Sequence, residues 1–422
     1  MSVGTTNYVK EYRPLALAAG LGSMLGSGAI VGLSATIGVW AKGFAMTPGQ
    51  VGIVSAALTF AIAAGSLTAG NITKIFGLYR SFNWLNLIYA LGTLVIIFSN
   101  NYVTLLLGAI VMGFASGADL PISLTVVSTD SPDDKTGASL VSSTQIFWQI
   151  GVFISYIGSF VLSSITGVTG ARILFVLLFL FSTITWLWRT FSPKFSKFHL
   201  DAKKRLDKKA KDEVKNVTFR SVLFGSNRKK YISMFLAILT FYVAWNLLAN
   251  TWGQFQTYAL TNAGATQMQA TGLGIILNII SLVTTVVFSS LASGKYRNVA
   301  FFVGALVQFA AMIGMATFGG STGFIALAIT IAFYNFGNPL AGEAIYKVWT
   351  QESFPVEVRA SLQGFINGFS RLAAGLFAFI TPYLVAPGRI QTSMYGFAAI
   401  VVIAFISGIL MMRLQKKYHV VK

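Results

Sequence analysis

The sequence predicts an all-α membrane protein in which twelve transmembrane helices form two six-helix bundles. Three observations predict it. The 422 residues are 55% hydrophobic and only 10% charged, with a mean hydropathy of +0.70, whereas soluble domains carry about 25% charged residues. The apolar blocks on either side of residues 192–229 each divide into six segments close to the roughly 20 residues that a bilayer core demands. The basic residues are also distributed unevenly, gathering in that central stretch and near the two ends of the chain.

Breaks at clusters of Gly, Pro, Asn, Asp and charge set the segments. In the first half they are 15–40, 48–71, 81–99, 102–128, 139–164 and 169–191, and in the second 230–259, 267–292, 298–318, 321–349, 358–383 and 391–415. The first follows Lys10, Glu11 and Arg13 and is read as a retained span rather than a cleaved leader. The domains are then 1–191, an N-terminal six-helix bundle, 192–229, a basic cytoplasmic loop, and 230–422, a C-terminal six-helix bundle. The central loop holds Lys194, Lys197, Lys203, Lys204, Arg205, Lys208, Lys209, Lys211, Lys215, Arg220, Arg228 and Lys229 against Asp201, Asp207, Asp212 and Glu213. Lys and Arg beside span ends resist translocation, so this loop and both termini are expected in the cytoplasm of a multi-pass plasma-membrane protein. Only Lys42, Arg172 and Arg389 of the 31 Lys and Arg fall in the outer loops.

The same pattern excludes several function classes. The net charge of +19 sits beside spans, which is the positive-inside signal rather than a nucleic-acid surface, and anionic membrane lipid is the expected partner. With no cysteine and only His199 and His419, no thiol nucleophile, disulfide or metal site can be assembled. An enzyme is disfavoured for the same reason, and no cofactor is implied.

The halves resemble each other. Asp130-Ser131-Pro132 and Ala138-Ser139-Leu140 recur as Glu352-Ser353-Phe354-Pro355 and Ala360-Ser361-Leu362, each after the fourth span of six. Parallel repeats of this kind build transporters whose solute binds between the halves near the midplane. The loop from Gly70 to Arg80, Gly70-Asn71-Ile72-Thr73-Lys74-Ile75-Phe76-Gly77-Leu78-Tyr79-Arg80, resembles the Gly-rich cytoplasmic signature of the major facilitator superfamily, with Lys74 at its acidic position and Leu78 at one basic position. Glu352-Ser353-Phe354-Pro355 with Arg359, and the stretch from Gln145 to Gly151, resemble the sugar porter branch, in which a fifth-span glutamine contacts the sugar. Gly117-Ala118-Asp119-Leu120-Pro121 and Arg371 look more like the organic-acid and phosphate proton symporters. The resemblance covers essentially the whole chain and implies the major facilitator fold.

Two acidic residues, Asp119 and Glu343, fall inside predicted spans. Asp119 is eleven residues from Asp130, about 16 Å deep at 1.5 Å per residue. Glu343 precedes Glu352 by nine residues and lies about 13 Å deep. A carboxylate there costs at least about 2.5 kcal/mol unless paired, hydrated or protonated, the property a proton carrier exploits. Both are candidates for proton coupling, and Asp119 has no basic neighbour nearby in sequence. Glu343 shares a helix face with Lys347, and Arg371 lies twelve residues past Arg359, about 18 Å deep. A Glu343–Arg371 gating ion pair is therefore expected, with a static structural pair as the alternative.

A polar solute needs amides and aromatic faces at mid-depth. The candidates are Gln145, Trp148 and Gln149 in the fifth span, Asn246, Asn250, Trp252, Gln254 and Gln256 in the seventh, Asn278 in the eighth, Asn335 and Asn338 in the tenth, and Asn367 in the eleventh. Interhelical hydrogen bonding is the bland alternative for any one of them. Gly22, Gly26, Gly28 and Gly32 are read as packing positions. The fifth span lacks the Gly-Pro pattern of drug antiporters, since Gly151 and Gly158 have no proline nearby. The expected function is a secondary transporter importing a sugar or polyol with a proton by alternating access. An organic-anion or phosphate symporter is the alternative, ahead of an exporter or a transporter-shaped receptor.

Overall fold

The computed structural model describes residues 3–132, 134–209, 219–291, 296–318 and 323–420. Among the described residues the regular elements are helices, and twelve spans are long and apolar enough to cross a membrane. The chain divides into two compact units, Met1–Val214 and Lys215–Lys422.

In the first unit α1 (Val3–Gly43), α2 (Pro48–Phe76), α3 (Leu78–Ile97), α4 (Tyr102–Asp130), α5 (Asp134–Val161) and α6 (Thr169–Phe191) are the six spans. α1 packs along α5, α4 lies against α2 and α3, and α3 against α6. Lipid tails are as apolar as leucine, so these contacts rest on close packing and hydrogen bonds rather than on expulsion of water. The close approach of α2 and α4 depends on glycine: a Cβ at Gly65 would lie 2.8 Å from the Ala118 nitrogen, and one at Gly117 2.7 Å from the Ile62 Cα. Gly26, Gly28 and Gly32 of α1 likewise admit neighbours, Ser116 at 3.3 Å from a notional Cβ and Leu178 at 2.8 and 3.4 Å. The α2–α3 connection turns on Gly77 at φ +87, a value that only glycine adopts without strain.

The stretch expected as a basic loop contains a seventh helix, α7 (Pro193–Lys209), which belongs to the first unit. Its apolar residues explain why. Phe195, Phe198 and Ala202 recur at helical spacing and are buried, with Tyr12 stacked on Phe198 at 4.4 Å. Lys194, Lys197, Lys203 and Lys204 point away from that seam and are exposed. An amphipathic stripe of this width docks a helix however polar its average composition.

In the second unit the short α8 (Phe219–Phe224) precedes α9 (Arg228–Asn262), α10 (Gln267–Leu291), α11 (Arg297–Phe318), α12 (Phe324–Leu340), α13 (Glu343–Ser353), α14 (Val356–Leu384) and α15 (Ile390–Lys417). α9 packs on α14 and α15, and α11 on α12 and α15. Phe241 and Phe301 each meet Trp349 edge to face in the core, at 5.0 and 5.6 Å. The tenth span, expected as one helix over 321–349, is broken into α12 and α13. Pro339 removes a ladder donor, and Ala341 (φ −127, ψ 59) and Gly342 (φ −148, ψ −138) leave helical geometry altogether.

Candidate functional site

In the first unit Asp119 of α4 is not isolated. Arg189 of α6 meets it in a two-pronged ion pair, Nη1 to Oδ1 at 2.6 Å and Nη2 to Oδ2 at 3.3 Å, with both side chains almost wholly buried. Asn86 donates to Oδ1 at 3.4 Å. The guanidinium also donates to the Ala18 carbonyl from Nε and Nη2 at 3.2 and 2.8 Å, and to the Phe82 carbonyl from Nη1 at 2.8 Å. It sits 4.0 Å over the Phe82 ring. Gly22 of α1 leaves the room, for a Cβ there would overlap the carboxylate and lie 2.6 Å from Nη2. Asp119 has no basic neighbour close by in sequence, and the partner that the fold supplies is 70 residues away. Its signal was an arginine amid Trp186, Leu187 and Trp188 near the end of a predicted span.

At the end of α4 the buried Asp130 carboxylate accepts from the Tyr79 hydroxyl at 2.9 Å and bonds Nδ1 of His199 on α7. The His199 ring stacks on Tyr79 at 3.7 Å, and Arg205 donates to the Asp130 carbonyl at 2.5 Å. In the second unit Glu352, at the end of α13, accepts from Arg297 at 2.6 Å and from Gln415 at 3.0 Å. None of these contacts was anticipated except through the repeated acidic motif.

Of the fifth-span candidates, Trp148 lies beside Gly26, with its ring 3.4 Å from a notional Cβ there, and its carbonyl accepts from Ser27 at 2.7 Å. Gln149 is half-buried. The Gln145 and Arg359 side chains lie outside the described part of the structure. In the second unit two polar chains form. Trp245 of α9 donates to Asn338 Oδ1 at 2.5 Å, and the Tyr334 hydroxyl reaches the same oxygen at 3.4 Å. Asn246 donates to Ser370 at 3.1 Å, Ser370 to the Asn367 carbonyl at 2.8 Å, and Arg371 to Asn367 Oδ1 at 3.2 Å, tying α9 to α14. Gln254 donates to Asn250 at 2.8 Å. Trp252 Nε1 and Gln256 Nε2 are buried donors without a protein partner among the described residues. Asn278 and Asn335 donate to carbonyls four residues back on their own helices, at 2.8 and 3.0 Å, which is the bland outcome.

The expected Glu343–Arg371 pair is replaced. Glu343 bonds Lys347 at 2.7 Å, both side chains being 46% exposed, and Arg371 turns to Asn367. The helix break is the physical reason: it makes Glu343 the first residue of α13, where the helix dipole favours a carboxylate and Lys347 is one turn away on the same face. Among the described residues no cluster of three or more His, Asp or Glu could hold a metal ion.

The profile of the Major Facilitator Superfamily matches residues 16–378. The chain belongs to that superfamily. A minor myo-inositol transporter, IolF of Bacillus subtilis (strain 168), is 27% identical over 396 residues, spanning 92% of this chain and 88% of the relative. Among solved structures, a D-xylose-proton symporter aligns with a TM-score of 0.75 at 17% identity over 93% of this chain and 95% of its own. A point mutant of the nucleoside transporter NupG aligns with a TM-score of 0.68 at 15% identity over 94% and 99%. The chain has the major facilitator fold, and the protein is an integral membrane transporter rather than an enzyme.

Proposed function

We propose that this transporter imports a neutral sugar or polyol with a proton by alternating access, its termini and basic central stretch lying in the cytoplasm. The observation that carries the solute class is the polar set of the second unit. Trp245, Asn246, Asn250 and Gln254 on α9 are bonded to amides or hydroxyls, while Trp252 and Gln256 hold buried donors in reserve. Amides and hydroxyls each offer donor and acceptor, the complement of a hydroxyl-rich neutral ligand. The myo-inositol relative and the xylose-symporter fold support the same class. Gln145, Trp148 and Gln149 of α5, Asn338 of α12 and Asn367 of α14 complete the proposed lining.

Asp119 is the proposed proton carrier, with Glu343 as a second coupling group. Protonating Asp119 would release one prong of the Arg189 clamp, so proton binding and helix rearrangement share one pair of side chains. Uptake into proteoliposomes of a panel of pentoses, hexoses, polyols, monocarboxylates and phosphate, with and without an imposed pH gradient, tests both halves of the reading. Asp119→Asn should abolish accumulation driven by the gradient and retain downhill exchange. Accumulation equal to the parent's removes Asp119 from coupling.

One observation favours a second reading, an organic-anion symporter. Arg371 is held by an amide rather than by Glu343, so its charge is available to an anionic ligand. Displacement of the transported solute by monocarboxylates or phosphate alone would select this reading.

A further inference from the structure

The break in the tenth span is held from outside by a residue that the proposed site does not use. Gln308 of α11 is buried at 4% exposure, and its Nε2 donates to the carbonyls of Gly337 and Ala341, each at 3.3 Å. These carbonyls bracket Pro339, the residue at which the α12 ladder fails. A helix end leaves its last carbonyls without intrahelical donors. The Ala341 nitrogen turns back to Gly337 at 3.3 Å, and the carbonyl of Ala341, a residue only 3% exposed, is met by the Gln308 amide.

The approach of α11 is built for this contact. Gly304 lies one turn before Gln308 on the same face, and a Cβ there would lie 2.8 Å from the Gly337 oxygen and 2.9 Å from the Ala341 nitrogen. Gly337 reciprocates, with a notional Cβ 2.7 Å from the Gly304 oxygen and 3.1 Å from Gln308 Cγ. Glycine on both sides brings the backbones together, and the amide one turn on reaches across. A void of about 10 Å³ borders Gln308, Trp245 and Ala341. What the break positions is functional in the proposed reading: Asn338, bonded to Trp245, stands just before it, and the Glu343–Lys347 pair just after.

We propose that Gln308 is a positioning residue that holds the tenth span in its broken form through the Gly337 and Ala341 carbonyls, and that release of this amide accompanies the conformational step of transport. The inference rests on the protein's being a transporter and not on which solute it carries. A buried carbonyl without a donor is costly enough to shift a two-state equilibrium on the order of tenfold.

The chain has no cysteine, so two introduced thiols are the only sites for spin labels. Ile329→Cys on α12 and Val348→Cys on α13 report the angle across the break in full-length protein, without added solute. Gln308→Leu and Gln308→Met both remove the donors, and Met keeps the unbranched shape of the glutamine. Both should change the ratio of distance populations by about tenfold and alter the turnover of solute exchange. An unchanged distance distribution in either folded variant overturns the proposal, as does a changed distribution with the parent's exchange turnover. Because the distance measurement needs no solute, failure to transport sugars or polyols would count against the solute reading only.

Discussion

Removing the Arg189 guanidinium should be among the most damaging single changes in the first unit. The side chain is fully buried and makes two bonds to Asp119 and three to the Ala18 and Phe82 carbonyls. Arg189→Met keeps most of the stem and strands the carboxylate, whose remaining donor is Asn86 at 3.4 Å. Breaking a buried pair from one side costs about 3–5 kcal/mol. Asp119→Leu should cost somewhat less, because the guanidinium keeps its carbonyl acceptors and its place over the Phe82 ring. The double variant Asp119→Leu with Arg189→Met removes both charges together, and apolar replacement of a buried pair is close to neutral. It should therefore recover at least half of the loss in Arg189→Met. The assay is unfolding in detergent followed by tryptophan fluorescence, with Trp84, Trp186 and Trp188 in the same unit. For a unit of this size, Met1–Val214, about 2–4 °C per kcal/mol puts Arg189→Met roughly 10 °C below the parent. A double variant no more stable than Arg189→Met would refute the coupling and make Arg189 a packing residue that happens to lie beside Asp119.

Gly22→Ala should destabilise the first unit by about 1–3 kcal/mol, the usual cost of overpacking, because its Cβ would overlap the Asp119 carboxylate. The penalty measured by the same unfolding assay should shrink when Asp119→Ala is also present, and an unaltered penalty would assign the clash to other atoms. His199→Leu leaves the buried Asp130 carboxylate without one of its two side-chain partners, and a hydrogen bond to a charged group contributes about 1.5–3 kcal/mol. α7 should then undock more often, and tryptic cleavage at its exposed Lys203 and Lys204 should speed up by about tenfold or more, while a rate equal to the parent's would show that the His199 contact does not hold the helix.

The twelve spans were legible because each rests on a local property, some twenty apolar residues with the chain's charge collected between them. What stayed hidden was contact between distant positions. Asp119 stood out as an acid in an apolar span, yet its neutralising Arg189 is brought to it only by the packing of α4, α3 and α6, which no local pattern encodes. The Glu343–Arg371 expectation failed for a related reason: it assumed one straight tenth helix, and the break turned Glu343 toward Lys347. That break was partly readable, since Gly337, Pro339 and Gly342 fall within six residues of one span. The docking of α7 was readable too, from Phe195, Phe198 and Ala202 at helical spacing inside a stretch judged by its charge. Gln308 had a quieter signal, an amide between Ala305-Leu306-Val307 and Phe309-Ala310-Ala311, where a buried polar group must find a partner.

The weak sequence repeat gains its meaning from which elements meet it. Asp130 ends the fourth span and takes donors from Tyr79, the second residue of the third span's helix, and from His199, in the helix that follows the sixth. Glu352 ends the tenth span and takes donors from Arg297, the first residue of the ninth span's helix, and from Gln415, near the end of the twelfth. Each acid thus takes a donor from the start of its own unit's third span, while the second donor comes from the helix after the sixth span in one unit and from the end of the sixth span in the other, and the donors share no chemistry between units. Two similar turns arising by chance would give no reason for partners in equivalent places, whereas duplication of a six-helix unit does. The divergence of the donors then sets the two clamps apart physically. Asp130 is fully buried, whereas the Glu352 side chain is 31% exposed and bound by a permanently charged guanidinium. Salt screens exposed charges far more than buried ones, so raised ionic strength should loosen the second unit's clamp and leave the first nearly untouched.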